Sequence, residues 1–257
     1  MKVFVTADIH GFYDVLMDKL NQAGFDFNNP DHYLAICGDV FDRGTQCIQL
    51  YEFLRSLGDR FIYIRGNHED LLEKCIDEMA SGHAPNYVHR SNGTLDTVAK
   101  FTNTTEYELV FDEGKRRSAV LSIQPVISWI NNRSVDYAVI GDNILVHGWL
   151  PMSRDVNDFA NATPEEWENA RWENGMSCWL AGPQNRPDGY TVICGHIHSS
   201  WGWARITEDR KEYPRVDADL AKHFEPWIGD GIIALDACTA ISNSCNMVIL
   251  EFEDEEI

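Results

Sequence analysis

The feature that most constrains this 257-residue chain is a local pattern that recurs five times: a short apolar run, then a turn residue, then a polar cluster. Val3-Phe4-Val5-Thr6 leads into Ala7-Asp8-Ile9-His10-Gly11, and Tyr33-Leu34-Ala35-Ile36-Cys37 into Gly38-Asp39-Val40-Phe41-Asp42-Arg43-Gly44. Phe61-Ile62-Tyr63-Ile64-Arg65 leads into Gly66-Asn67-His68-Glu69, Ile144-Leu145-Val146 into His147-Gly148, and Thr191-Val192-Ile193-Cys194 into Gly195-His196-Ile197-His198. Continuous apolar runs bounded by turn signals predict strands buried on both faces. Helix-length amphipathic segments separate the first three. Residues 12–23 place Val15, Leu16, Lys19 and Leu20 on one face before Gly24, and residues 47–57 run to Gly58. The resulting βαβαβ order predicts an α/β layered fold, whose strand-end loops gather on one edge and carry the chemistry.

Residues 78–120 break this rhythm, and their mixed, polar patterning predicts short helices forming a cap. Residues 152–188 are also irregular, with a helix start at Thr163-Pro164-Glu165-Glu166 and tryptophans at 167, 172 and 179. Strand patterns return at 232–236 and 247–252, and the acidic end Glu253-Asp254-Glu255-Glu256 reads as a solvated terminus. No repeat or Gly/Ser-rich linker divides the chain, so a single domain over 1–257 is expected.

Seven donors follow the strand patterns: Asp8, His10, Asp39, Asn67, His147, His196 and His198. All are oxygen or imidazole ligands, which suits Mn²⁺, Fe or Zn²⁺ rather than Cu(I) or an iron–sulfur cluster. They are too many for one tetrahedral ion and suit two, with a carboxylate bridging. Asp39 is the natural bridge, because its strand lies mid-set. Two ions ~3.5–4 Å apart share a hydroxide and clamp a phosphoryl group during in-line displacement.

Composition narrows the substrate and the compartment. Acids number 41 and bases 21, a net charge of −20, which argues against a general nucleic-acid binder. A small anion remains admissible, since a local metal or arginine can override the global field. The seven cysteines form no C-x-x-C pair and are odd in number, which favours a reducing cytoplasm. The four N-x-S/T sequons at Asn92, Asn103, Asn132 and Asn161 then read as chance. No stretch approaches the roughly 18 apolar residues of a membrane span.

Taken in order, D-x-H at 8–10, G-D-x-x-D-R-G at 38–44, G-N-H-E at 66–69, H-G at 147–148 and G-H at 195–196 resemble the calcineurin-like metallophosphoesterases, specifically the phosphoprotein phosphatase branch. That branch includes Ser/Thr phosphatases and symmetrical diadenosine tetraphosphatases. The resemblance implies a two-sheet β-sandwich flanked by helices, a four-layer αββα arrangement, with a dinuclear site between the sheet edges. It implies that Asp8 and His10 ligate one ion, that Asn67, His147 and His196 ligate the other, and that Asp39 bridges. His68, held by Asp42, would protonate the leaving oxygen, and Arg43 and Arg171 would grip the phosphate. Arg65 would either assist or pair with an acidic neighbour.

Two departures from the branch bear on the site. His198 completes a G-H-x-H form common in the wider superfamily, where the second histidine binds the first metal. Trp149 stands where a glycine is usual and is expected to narrow the substrate groove. Trp201 and Trp203 could stack on a substrate ring. The expected activity is metal-dependent hydrolysis of a phosphate ester, Ser/Thr phosphoprotein phosphatase-like, with a dinucleoside polyphosphate hydrolase as the alternative and Mn²⁺ as the first-choice metal. A non-catalytic metal-binding scaffold has no chemical need for His68, Asp42 and Arg43. A nuclease is disfavoured by the charge.

Overall fold

A computed structural model describes residues 1–207 and 223–252. The acidic 253–256 terminus lies outside the described residues. The first strands are β1 (Lys2–Thr6), β2 (His32–Cys37) and β3 (Phe61–Ile64), with α1 (Tyr13–Ala23) and α2 (Cys47–Ser56) between them. After β3 come five helices: α3 (Asn67–Ala80), α4 (Tyr87–Ser91), α5 (Thr94–Thr102), α6 (Glu106–Phe111) and α7 (Glu113–Arg133). The rest is β4 (Ser134–Val135), β5 (Ala138–Ile140), β6 (Asn143–Leu145), α8 (Pro164–Ala170), α9 (Gly175–Leu180), β7 (Thr191–Cys194), β8 (Trp227–Gly229), β9 (Ile232–Ala234) and β10 (Val248–Glu251). Gly24 ends α1 at φ 80°, a left-handed position that suits glycine.

Two five-stranded sheets result, ordered β10-β1-β2-β3-β4 and β5-β6-β7-β9-β8. β1 to β4 run parallel, as do β6, β7 and β9, while the edge strands β10, β5 and β8 are antiparallel. Side-chain alternation divides each apolar run between two cores. Phe4, Leu34 and Ile36 face the helices of the first sheet, whereas Val3, Val5, Ala35 and Cys37 face the second sheet. Opposite them, Leu145, Ile193 and Leu235 fill the inter-sheet core, and Ile144, Val192 and Ile232 pack toward the helices on the far side. The mixed α/β sandwich flanked by helices matches the sequence expectation. Helical structure continues past residue 120 to Arg133, and Leu95, Val98, Leu109, Ile123 and Ile130 share one apolar cluster with the first sheet. Those helices therefore form the buried crossover from β3 to β4.

Candidate metal centre

Parallel pairing brings the strand-end loops together. Beyond β1 and β2 the ladder continues as His10 N donating to Asp39 O at 2.9 Å and Gly11 N to Val40 O at 2.7 Å. In the second sheet, Gly195 N donates to His147 O at 2.8 Å. The sheets meet where His196 N donates to the Asp8 carboxylate, 3.0 Å from Oδ2. A Cβ on residue 195 would collide with that carboxylate, so the close approach requires Gly195. Asp8, His10, Asp39, Asp42, Arg43 and His196 all hold left-handed φ between 51° and 68°. Each such residue costs of order 1–3 kcal/mol, and strain concentrated in one place marks a functional site.

Among the described residues, two groups could hold a cation: the buried His10, Asp39 and His68, and the buried Asp39 and His147 with half-buried His196, each with its donor atoms within 4.8 Å of one another. Asp39 belongs to both, the position expected of a bridge. The protonation pattern fits metal ions. Nδ1 of His147 lies 2.8 Å from the Cys37 carbonyl, which can only accept, so this nitrogen carries the proton. Its Nε2 lies 2.8 Å from Asn67 Oδ1 and 3.2 Å from Asp39 Oδ1. One imidazole nitrogen and two oxygens thus converge in a buried site, a donor set of the kind that suits a cation. His10 likewise bonds the Phe41 carbonyl through Nδ1 at 3.1 Å.

Burial brings the His10 imidazole down to about 3, against the pull of Asp39. Burial and neighbouring His147 bring His196 to about 4. Both rings are therefore neutral at neutral pH, the form that ligates. Burial opposes the charge on Asp39, but His147, His68 and His10 outweigh it and hold the carboxyl below its usual range. Asp8 is raised by burial and by Asp236 and Asp39 beside it, a crowding of carboxylates that a dication would relieve.

His68 donates Nδ1–H to Asp42 Oδ2 at 2.7 Å, and its Nε2 lies 3.8 Å from Asp39 Oδ2. Burial alone would lower this imidazole; Asp39 and Asp42 outweigh it and raise it to about 9. The Arg43 fork reaches between the two rings, 2.6 Å from His10 Nε2 and 3.1 Å from His68 Nε2. While His10 Nε2 accepts from Arg43 it has no lone pair to offer a cation, so a cation at that nitrogen would require the guanidinium to turn away. Arg171 is buried, donates Nη2 to Asp136 at 3.0 Å, has Nε 3.5 Å from Asp70 Oδ2, and holds Nη1 without a hydrogen-bond partner among the described residues. Of the two expectations for Arg65, the structure shows pairing with acidic neighbours: Asp70, Glu73 and the amide of Asn131 bind its guanidinium nitrogens. His198 lies outside both groups, with Nδ1 3.2 Å from Ser200 Oγ and Asp236 as an electrostatic partner.

Other residues at the site were not apparent from the sequence. Glu69 accepts from the backbone N–H groups of Gly66, Asp39 and Val40 at 2.7, 3.0 and 3.0 Å, clamping two ligand loops together. Asp236 is buried behind Asp8; its place at the end of a strand pattern was the signal available for it. Trp149, expected at the groove, is 1% exposed and belongs to the second sheet's core. Trp201 and Trp203 also pack against that core. The aromatic at the site is Trp172, 48% exposed with its ring edge-on to His196 at 5.9 Å.

Residues 1–200 match the family profile of the calcineurin-like phosphoesterases. The chain belongs to that family. Among curated relatives of this chain, a symmetrical bis(5'-nucleosyl)-tetraphosphatase of Buchnera aphidicola subsp. Baizongia pistaciae (strain Bp) is 35% identical over 69 residues, 27% of this chain and 24% of that protein. Another, from Buchnera aphidicola subsp. Acyrthosiphon pisum (strain Tuc7), is 35% identical over 98 residues, 38% of this chain and 35% of that protein. The chain thus aligns with between 24% and 35% of these relatives' lengths. A solved metallophosphoesterase from Sphaerobacter thermophilus superposes over 100% of this chain and 85% of its own, at 16% identity and a TM-score of 0.48.

Proposed function

We propose that this chain hydrolyses phosphate esters or phosphoanhydrides using two divalent ions, Mn²⁺ foremost, with Asp39 shared between them. The observation that carries this is Asp39 standing in both donor groups, one of which also contains His68; because Asp42 holds its Nδ1–H, we assign His68 as proton donor rather than ligand. Asp8, His10 and His198 would complete one ion's surroundings, and Asn67, His147 and His196 the other's. When bound, the ions supply an activated water and neutralise phosphoryl oxygens. The chain's own groups do the rest. Arg43 turns its fork to the phosphoryl oxygens, and the unpartnered Nη1 of Arg171 offers a second donor. As the bond from phosphorus to the leaving oxygen breaks, His68 delivers a proton from Nε2 to that oxygen, while Asp42 keeps Nδ1–H in place. Water replaces the leaving group directly, with no phosphoenzyme.

A dinucleoside polyphosphate is the substrate class with most support. The curated relatives' names point to it, and half-exposed Trp172 beside His196 is placed to stack a nucleobase. A phosphoserine or phosphothreonine protein offers the same phosphorus chemistry without such a feature. The test is to offer diadenosine tetraphosphate and a phosphothreonine peptide side by side to the Mn²⁺-loaded chain, reading ADP by chromatography and free phosphate colorimetrically. The dinucleotide is expected to turn over faster, and Asp39→Asn to abolish the reaction. Preference for the peptide would overturn the substrate class alone. Equal rates for wild type and Asp39→Asn would overturn the enzyme and leave a scaffold.

A further inference from the structure

The Asp42–Arg43–Gly44 turn holds two consecutive non-glycine residues at left-handed φ, 68° and 59°. Its own loop does not explain how that strain is maintained, but the neighbouring helix does. The Thr94 hydroxyl lies 2.7 Å from Asp42 Oδ2, and the Asp42 backbone N–H donates to Thr97 Oγ1 at 3.0 Å. One helical turn further on, Lys100 donates Nζ to Gly44 O at 2.8 Å, steadied by Asp96. Gly93 abuts the Arg43 backbone so closely that a Cβ there would stand 2.6 Å from Arg43 N. Thr94 and Thr97 are 0% and 1% exposed, so both hydroxyls belong to the interior.

We propose that Thr94 is a positioning residue for the proton donor, acting on His68 through Asp42. The Thr94 hydroxyl donates to the Asp42 carboxyl group at 2.7 Å. It donates to Oδ2, the same oxygen that receives Nδ1–H of His68. The other oxygen, Oδ1, is buried with no partner among the described residues. The two oxygens are chemically equivalent, so what the shared contact fixes is the plane of the carboxylate: without Thr94 the group is free to twist about χ2, and a partial twist carries the accepting oxygen out of line with Nδ1–H. With it, the plane is held, the Nδ1–H bond stays aligned, and Nε2 stays aimed at the leaving oxygen. The crossover helices thereby become part of the reaction's alignment. This inference rests on His68 being the proton donor in the reading above.

The test compares phenyl phosphate, whose leaving oxygen needs a proton, with 2,4-dinitrophenyl phosphate, whose leaving group departs as a stable anion. In the Mn²⁺-loaded full chain, Thr94→Val is expected to lower kcat about tenfold on the phenyl ester, less than about twofold on the dinitrophenyl ester, and to leave KM unchanged. Thr94→Ser, which keeps the hydroxyl, is expected to restore the phenyl ester rate. His68→Asn serves as the reference and is expected to show the same discrimination more strongly. If His68→Asn discriminates and Thr94→Val does not, Thr94 has no positioning role while the proton-donor reading stands. If His68→Asn does not discriminate, or the wild type turns over neither ester, the donor reading fails and takes this inference with it. A readout independent of turnover is the downfield proton signal of the His68–Asp42 hydrogen bond in the Zn²⁺-loaded chain. It should persist in Thr94→Ser and weaken in Thr94→Val; an unchanged signal in Thr94→Val would overturn the proposal.

Discussion

His68 is 4% exposed, yet burial does not win at this position, because Asp39 and Asp42 both favour its charged form. The folded chain therefore retains the imidazole proton up to about 9, where the unfolded chain has lost it near the ordinary 6.5. By linkage, the stability this proton contributes is complete below pH 6.5 and disappears as pH rises through about 9. In chelator-treated protein, the stability gap between wild type and His68→Gln is expected to narrow from pH 6 to pH 9. Urea unfolding at the two values checks this, and a gap that widens would contradict it. Glu69 shows a different use of a buried carboxylate. It satisfies three backbone donors, which explains why an acid follows Asn67 and His68 although it stands in neither candidate donor group.

Among the elements, α8 carries the site's second arginine at its C-terminal end. Thr163 Oγ1 accepts from Glu166 N at 3.3 Å, Glu166 Oε2 accepts from Thr163 N at 2.8 Å, and Pro164 starts the helix. This capping box satisfies donors that a helix start leaves open. Arg171 follows the last residue, and Trp149 N bonds Ala170 O at 3.0 Å, fixing the helix end against the His147 loop. Thr163→Ala is expected to cost about 1 kcal/mol of unfolding free energy. Metal stoichiometry should not change, because the ligands sit on strand-end loops elsewhere. Denaturant titration and metal analysis of the same preparation check both halves. The helix start was legible from Thr163-Pro164-Glu165-Glu166, whereas Trp172 beyond its end was not, since nothing local distinguishes it from Trp167 in the core.

Across the whole molecule, a net charge of −20 opposes any phosphorylated substrate on approach, and the attraction is confined to the site. Screening weakens the long-range repulsion more than contacts inside a buried cluster. For an anionic substrate, kcat/KM in the metal-loaded chain is expected to rise severalfold between about 10 mM and 150 mM salt. A steep fall would point instead to a basic approach path. No helix among the described residues is long and apolar enough to cross a membrane.

The local pattern of apolar run, turn and polar cluster determined the strands, both buried faces of each, and the order of the donors. Those properties depend on neighbours within a few residues, and backbone periodicity transmits them. It also singled out Asp39 as the candidate bridge, the residue that the two donor groups share. Tertiary structure alone decided what surrounds those donors. Trp149 went to the core because the second sheet's helices needed filling, and Arg65 went to acids and an amide on α3 and α7. Thr94 reached Asp42 across 52 positions of sequence only because α5 packs on the first sheet's helix face. A threonine in a polar stretch carries no mark of its partner; the partner is set by how two elements dock, and docking is a property of the assembled apolar core.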